Sequence, residues 1–196
     1  MRVLRSLDPL PRVPRRVTVA GSSGSGKSSL AKELSELLNL PYVELDSLFH
    51  GPGWTVLDNW QDSVREIIRG DEWAIEWQGD PVRAETTERA DVLVWLDHPR
   101  WLTVARTIRR TVRRRFAGVE LWNGNKELPL HTFFTDRDHI VRWAWKSHPD
   151  IRARLVALIE EGGHPDLIVV RLRGQREVDA WLRGPLRQAL LAERKD

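Results

Sequence analysis

Eight consecutive residues, Gly21-Ser22-Ser23-Gly24-Ser25-Gly26-Lys27-Ser28, fit the pattern G-x-x-x-x-G-K-[ST]. Three glycines in so short a loop let the backbone wrap until successive N–H groups face one anion. A helix starting at the lysine adds the partial positive charge of its N-terminus. Lys27 is then placed to bridge the β- and γ-phosphates of a nucleotide, and Ser28 to hold Mg²⁺ through its hydroxyl; Ser29 follows in the first helical turn. An incidental glycine-rich turn is the competing reading. A β-branched run before the loop and a leucine-spaced helix after it argue against that alternative.

A second concentration of chemistry lies between residues 100 and 115, which hold seven arginines and no acidic residue. Arg106, Arg110, Arg113 and Arg114 are spaced i, i+4, i+7 and i+8, so a helix carries them on one side. Leu102, Ala105, Ile108 and Val112 make the opposing apolar stripe. Packed guanidinium groups repel one another unless an anion neutralises them. Three readings follow: a clamp on nucleotide phosphates, a solvated arginine face, or a nucleic-acid groove with Trp101, Phe116 and Trp122 as stacking platforms. Asp46 and Asp97 each follow a strand, where ligands collect in open parallel sheets. Each can instead cap the next segment.

The elements that must position these groups can be read from periodicity. Arg16–Ala20 is a short buried strand running into the phosphate loop. Lys27–Leu38 has leucines at helical spacing and is stopped by Asn39-Leu40-Pro41. Further strands are expected at Tyr42–Leu45, Trp73–Ile75, Val92–Leu96 and Leu167–Val170. Further helices are expected from Asp58 to Arg69, from Pro99 to about Phe116, over 137–147 and 151–161, and over 175–193 with a break near Gly184-Pro185. Residues 117–130 read as loop or lid. Short apolar strands alternating with helices predict an α/β fold, a three-layer α/β/α sandwich around a five-stranded parallel sheet.

Composition sets the outer bounds. The chain has 196 residues, 41% hydrophobic and 30% charged, enough for one domain with its own core. Residues 1–15, with three prolines, read as an arm laid on a single domain spanning 16–196. Net charge is +3 overall, but residues 1–16 carry +4 and residues 100–115 carry +7, leaving −8 on the rest. So local a basic segment points to an anionic partner. Without cysteine there is no disulfide, thiol nucleophile or cysteine-ligated metal. No apolar run is long enough for a membrane helix, and no signal peptide is visible, so a cytoplasmic location without membrane partners is expected. The six histidines form no i, i+4 pair, and His131 and His139 are too loosely spaced to suggest a metal. Of the ten tryptophans, Trp73, Trp95 and Trp101 read as core. Trp54, Trp60, Trp77, Trp122, Trp143 and Trp145 are candidates for the wall of an apolar pocket.

Four blocks together, G-S-S-G-S-G-K-S-S-L, V-E-L-D-S-L-F-H-G-P-G-W, V-L-V-W-L-D-H-P-R and E-L-W-N-G-N-K-E, resemble small bacterial P-loop proteins of the topology-modulation and adenylate-kinase-like type, within the nucleotide and shikimate kinase branch. The resemblance covers residues 16–182. It implies transfer of the γ-phosphoryl of ATP, with Mg²⁺, to a small acceptor bound at about 46–83 and covered by an arginine-bearing lid at about 106–130. It gives Arg106 a place on adenine and Arg110 one on the phosphates, and Arg113 joins Arg110 as a catalytic candidate by its spacing on the helix. Asp46 would help hold Mg²⁺ and orient the acceptor. Where the subfamily carries D-G-N-Y, this chain reads Glu76-Trp77-Gln78-Gly79. Glu76 takes the aspartate's place and Trp77 stands where a glycine is usual, while Arg83 remains to bind an anionic acceptor. That departure predicts an acceptor other than adenosine monophosphate. An ATP-gated nucleic-acid or regulatory module, and an ATPase with a decayed acceptor site, are the alternatives.

Overall fold

A computed structural model describes residues 1–126 and 140–194. Five parallel strands form one sheet: β1 (Arg2–Leu4), β2 (Arg16–Gly21), β3 (Trp73–Glu76), β4 (Val92–Leu96) and β5 (Ile168–Leu172), in the order β1-β5-β4-β2-β3. Val17 is in register with Ala74 on one side and Val92 on the other, and Val92 in turn with Ile168. Each central strand is covered on both faces, which is why V-T-V-A and V-L-V-W-L read as unbroken apolar runs.

The two faces have separate cores. On one side Val17, Val19, Val92, Val94 and Leu172 meet Leu30 and Leu34 of α1 (Lys27–Leu38). Trp181 of α7 (Gln175–Trp181) and Ala189 of α8 (Arg187–Glu193) close that layer. On the other side Ala20, Ile75, Leu93, Trp95 and Val169 pack on Val64 of α3 (Trp60–Arg69) and Val82 of α4 (Asp80–Arg89). Leu45 of α2 (Leu45–Phe49) and Leu155 of α6 (Ile140–Glu161) complete it. The α/β/α sandwich with five parallel strands is as expected.

Its membership is not. Tyr42–Leu45 forms no strand: Tyr42 makes one parallel bridge to Ala74, and Leu45 already starts α2. Pro41 lacks an N–H, and its carbonyl accepts from Ala74 instead. The fifth strand comes from the N-terminal arm, where Arg2, Val3 and Leu4 pair with Ile168, Val169 and Val170. That pairing occupies an edge of β5 that would otherwise expose open backbone groups. The expected helices at 137–147 and 151–161 are one continuous α6 with Pro149 inside, whose first turn begins at Ile140; residues 137–139, like His131, His139 and the lid's last residues 127–130, lie outside the described residues. The break near Gly184-Pro185 is a π-helical turn, Leu182–Leu186, that carries the chain on into α8. Such a turn widens the hydrogen-bond spacing where Pro185 has no N–H to give. Among the described residues no helix is long and apolar enough to cross a membrane.

Candidate active site

The loop between β2 and α1 takes the form its glycines permit. Gly24 and Gly26 have φ of 78° and 99°, a left-handed conformation that L side chains rarely adopt. A Cβ on Gly24 would overlap the Thr103 carbonyl and the Thr107 hydroxyl of α5 (Arg100–Phe116). Loop and helix therefore touch backbone to backbone. This contact explains why α5 is rotated from its expected setting. Its buried face is Thr103, Thr107 and Thr111, and the expected apolar stripe is not inward: Ala105 and Ile108 are exposed. Small hydroxyl side chains allow the close approach, and the Thr107 hydroxyl donates to the Thr103 carbonyl at 3.0 Å. Trp101, expected in the core, is 68% exposed for the same reason, while Trp73 and Trp95 are buried as expected.

On one side of the loop lies a cleft of about 710 Å³. Lys27 points into it and donates to the Ser22 carbonyl at 3.2 Å. Burial lowers the lysine's pKa; Asp46 and Glu76 oppose that fall, and Arg110 adds to it. Glu76, at the carboxyl end of β3, is 1% exposed. Its Oε2 accepts from the Leu45 N–H at 3.0 Å and its Oε1 from the Tyr42 hydroxyl at 3.2 Å. The Ser28 hydroxyl lies beside this carboxylate and favours its charged form. Burial raises the Glu76 pKa against the pull of these donors and of Lys27. The resemblance gives Glu76 to the acceptor; the fold buries it beside Ser28 and Lys27. Asp46, in the first turn of α2, lines the same cleft, and the Gln78 amide donates to its Oδ1 at 3.0 Å. No side-chain bond caps α2, so Asp46 is not used as a cap.

The far wall of the cleft is aromatic. Trp54, Trp60, Trp77, Trp122 and Trp143 line it, whereas Trp145 lies outside with the Arg100 guanidinium 3.7 Å over its ring. Trp77 turns its indole inward and donates to the Thr87 hydroxyl at 2.8 Å. Close approach of the backbone is supplied two residues on, where Gly79 (φ 80°) would place a Cβ 2.8 Å from the Trp60 ring. Arg83 lies over Trp77 at 4.7 Å, pairs with Asp80 and is mostly buried, which lowers its pKa. Arg110 and Arg114 enter the cleft from α5. Arg113 does not; it is on the exposed side of the helix.

A second cavity of about 300 Å³ lies behind the loop, and Gly24, Gly26 and Ser29 line both spaces. Arg106 lies here, 3.2 Å from His98 Nδ1 and donating to the Gln175 side-chain Oε1 at 3.5 Å. Burial and the neighbouring guanidinium lower the His98 pKa, so the ring accepts through a bare Nδ1. His98 and Gln175 were not among the expected site residues. Nothing in their local sequence marks them, since Gln175 arrives from the far end of the chain. Asp97 is neither cap nor cleft residue: Arg171 at 2.5 Å and Arg152 at 3.2 Å hold its carboxylate.

The donor set suits a nucleotide with Mg²⁺. Two carboxylates and a hydroxyl are hard oxygen ligands, and Mg²⁺ ordinarily completes such a set with phosphate oxygens and water. Among the described residues, no group of three or more histidine, cysteine or acidic side chains gathers to hold a metal unaided.

No family model matches the chain, and no curated protein matches it. Its structure is similar to a gluconokinase from Sinorhizobium meliloti 1021, at 19% identity over 94% of this chain and 99% of that one, with a TM-score of 0.46. It is also similar to a shikimate kinase from Acinetobacter baumannii in complex with shikimate, at 18% identity over 77% and 95%, with a TM-score of 0.40. The chain combines an α/β fold of five parallel strands with a G-x-x-x-x-G-K-S loop between β2 and α1.

Proposed function

We propose that the protein transfers the γ-phosphoryl group of ATP, with Mg²⁺, to a small acceptor held among the tryptophans. The observation that carries this reading is the position of the phosphate loop between two cavities, with Lys27, Ser28 and Asp46 lining the larger one and the buried Glu76 beside Lys27 and Ser28. The smaller cavity takes the base beside Arg106. The loop N–H groups and Lys27 take the phosphates. Ser28 holds Mg²⁺, with the carboxylates of Glu76 and Asp46 nearby to receive it directly or through water. The metal neutralises charge on the transferring group, which needs positioning and electrostatic support rather than covalent chemistry. Arg110 lines the same cleft as Lys27, so both cations serve the phosphates.

Asp46 orients the acceptor, and the aromatic wall keeps bulk water from competing with it. Arg83, desolvated against Trp77 and sharing Asp80 with Arg154, is the cation offered to the acceptor's anionic end. A partly apolar alcohol or amine fits these walls better than adenosine monophosphate does. A nucleic-acid role for α5 is disfavoured because Arg106, Arg110 and Arg114 turn into the cavities.

The test begins with Lys27→Ala, which should abolish most of the thermal stabilisation given by Mg·ATP. Unchanged stabilisation would remove the nucleotide from this loop. ADP release is then followed across nucleoside monophosphates, nucleosides and small hydroxylated acids. Fast saturable turnover with adenosine monophosphate would overturn the acceptor reading.

A further inference from the structure

Two loops from opposite sides of the cleft meet over it. Residues 50–56 (H-G-P-G-W-T-V) close on themselves through a His50–Val56 bridge, and residues 120–126 (E-L-W-N-G-N-K) through Glu120–Lys126. Each wraps a single 3₁₀ turn, Pro52–Trp54 and Trp122–Gly124. Each holds a non-glycine residue in the left-handed region, Trp54 at φ 61° and Asn123 at φ 54°. For a bulky residue such as Trp54 this conformation is strained and persists only where its surroundings over-determine it.

Asn125 supplies that determination. It is 4% exposed, its Oδ1 accepts from the Trp54 N–H at 3.0 Å, and its Nδ2 donates to the Gly51 carbonyl at 2.9 Å. Asn123 Nδ2 donates to the His50 carbonyl at 2.5 Å, and Trp54 Nε1 to the Lys126 carbonyl at 3.3 Å. His50 lies edge-on to Trp54 at 5.1 Å and stacked with Trp122 at 6.1 Å. Only a carboxamide can both accept from Trp54 and donate to Gly51 with this geometry. An aspartate lacks the donor, and an alanine lacks both.

We propose that Asn125 is a positioning residue that fastens these loops into one clasp, so that Trp54 and His50 stand over the acceptor cleft only while the loop following α5 is docked. The proposal rests on the phosphotransfer reading for the identity of the cleft as an acceptor site, not for the clasp itself. Docking of the loop after α5 and formation of the acceptor's aromatic wall are then one event. Transfer to acceptor and exclusion of water depend on the same two hydrogen bonds.

Hydrogen exchange on the ligand-free chain tests the coupling. In N125A, amides of 50–56 and 120–126 should both exchange about tenfold faster, while those of β2 and β4 do not change. N125D, which keeps the acceptor oxygen for Trp54, should fall between. Loosening of 120–126 with 50–56 unaffected would overturn the proposal. Should N125A lose its core protection as well, N123G, which removes the bond to His50 and suits the left-handed backbone at that position, carries the same comparison. Acceptor-free hydrolysis of Mg·ATP gives the second readout: it should rise several-fold in N125A with nucleotide affinity unchanged, and equal rates would also overturn the proposal. If the wild-type chain neither binds nor hydrolyses Mg·ATP, the phosphotransfer reading fails, and the exchange data still decide whether the clasp exists.

Discussion

Glu76 is almost completely buried beside the loop serine, where Lys27 and the Leu45 N–H favour its charge against the burial that raises its pKa. A carboxylate so placed can pull Mg²⁺ onto Ser28, and an amide of the same shape cannot. Glu76→Gln should keep nucleotide binding in the absence of metal and lose the added stabilisation by Mg²⁺, with turnover down by about 10²-fold or more. Titration calorimetry with and without Mg²⁺ separates the two effects, and an unaltered metal dependence would leave Glu76 a purely structural acceptor. Asp46→Asn should differ from it. Asp46 accepts from Gln78, whose amide can reorient to suit an asparagine, so binding survives and transfer is lost.

At the scale of the element, α5 does two jobs on two faces. Its threonine face touches the phosphate loop, and its Arg110 and Arg114 reach the cleft while Arg106 reaches the cavity behind. Arg110→Ala should therefore lower turnover by about 10²-fold or more with little change in melting temperature, because the charge acts on the transferring phosphate. Arg113→Ala, on the exposed side, should leave turnover near wild type and serves as the control. Gly24→Ala attacks the contact itself. The left-handed backbone alone makes it costly by about 1–3 kcal/mol, and the overlap with Thr103 and Thr107 adds to that. A lowered melting temperature together with lost ATP stabilisation is the expected result. Normal values for both would mean that loop and helix separate freely.

Across the whole molecule, the N-terminal arm is tied to the sheet from two sides. Beyond the β1–β5 pairing, Asp91 is buried at the start of β4. It accepts from the Arg15 and Arg16 N–H groups at 3.1 and 2.9 Å and from the Arg16 guanidinium at 2.8 Å. Burial alone would raise its pKa, but the hydrogen bonds prevail and hold it below the usual carboxylate range. A depressed folded-state pKa gives stability that is present above the unfolded value and is lost as pH falls through the folded one. Asp91→Asn should destabilise the protein by about 1–3 kcal/mol near neutrality. The gap to wild type should close on acidification below the ordinary aspartate pKa. Melting temperature followed against pH in both proteins tests this, and a gap constant into strong acid would show that Asp91 titrates as a free carboxyl.

Much of this was legible in the sequence, for a physical reason. The phosphate loop is contiguous, so its glycines, lysine and serine carry their geometry with them, and central strands covered on both faces announce themselves as apolar runs. What failed depended on partners distant in the chain. Tyr42–Leu45 has strand-like residues, but the edge it would fill is used by one bridge, and Arg2–Leu4 completes the opposite edge. Periodicity gave α5 an apolar stripe, yet the closeness of Gly24 rewarded threonines facing inward. Glu76 was visible as a carboxylate after a strand, but it lies beside Ser28 only because β3 pairs with β2. The W-N-G-N block was noticed without a role, because Asn125 acts on Gly51 and Trp54, some seventy residues earlier. Local chemistry is written in order along the chain. Which groups meet across a cleft is settled by the packing of sheet and helices, where residues far apart in sequence compete for the same space.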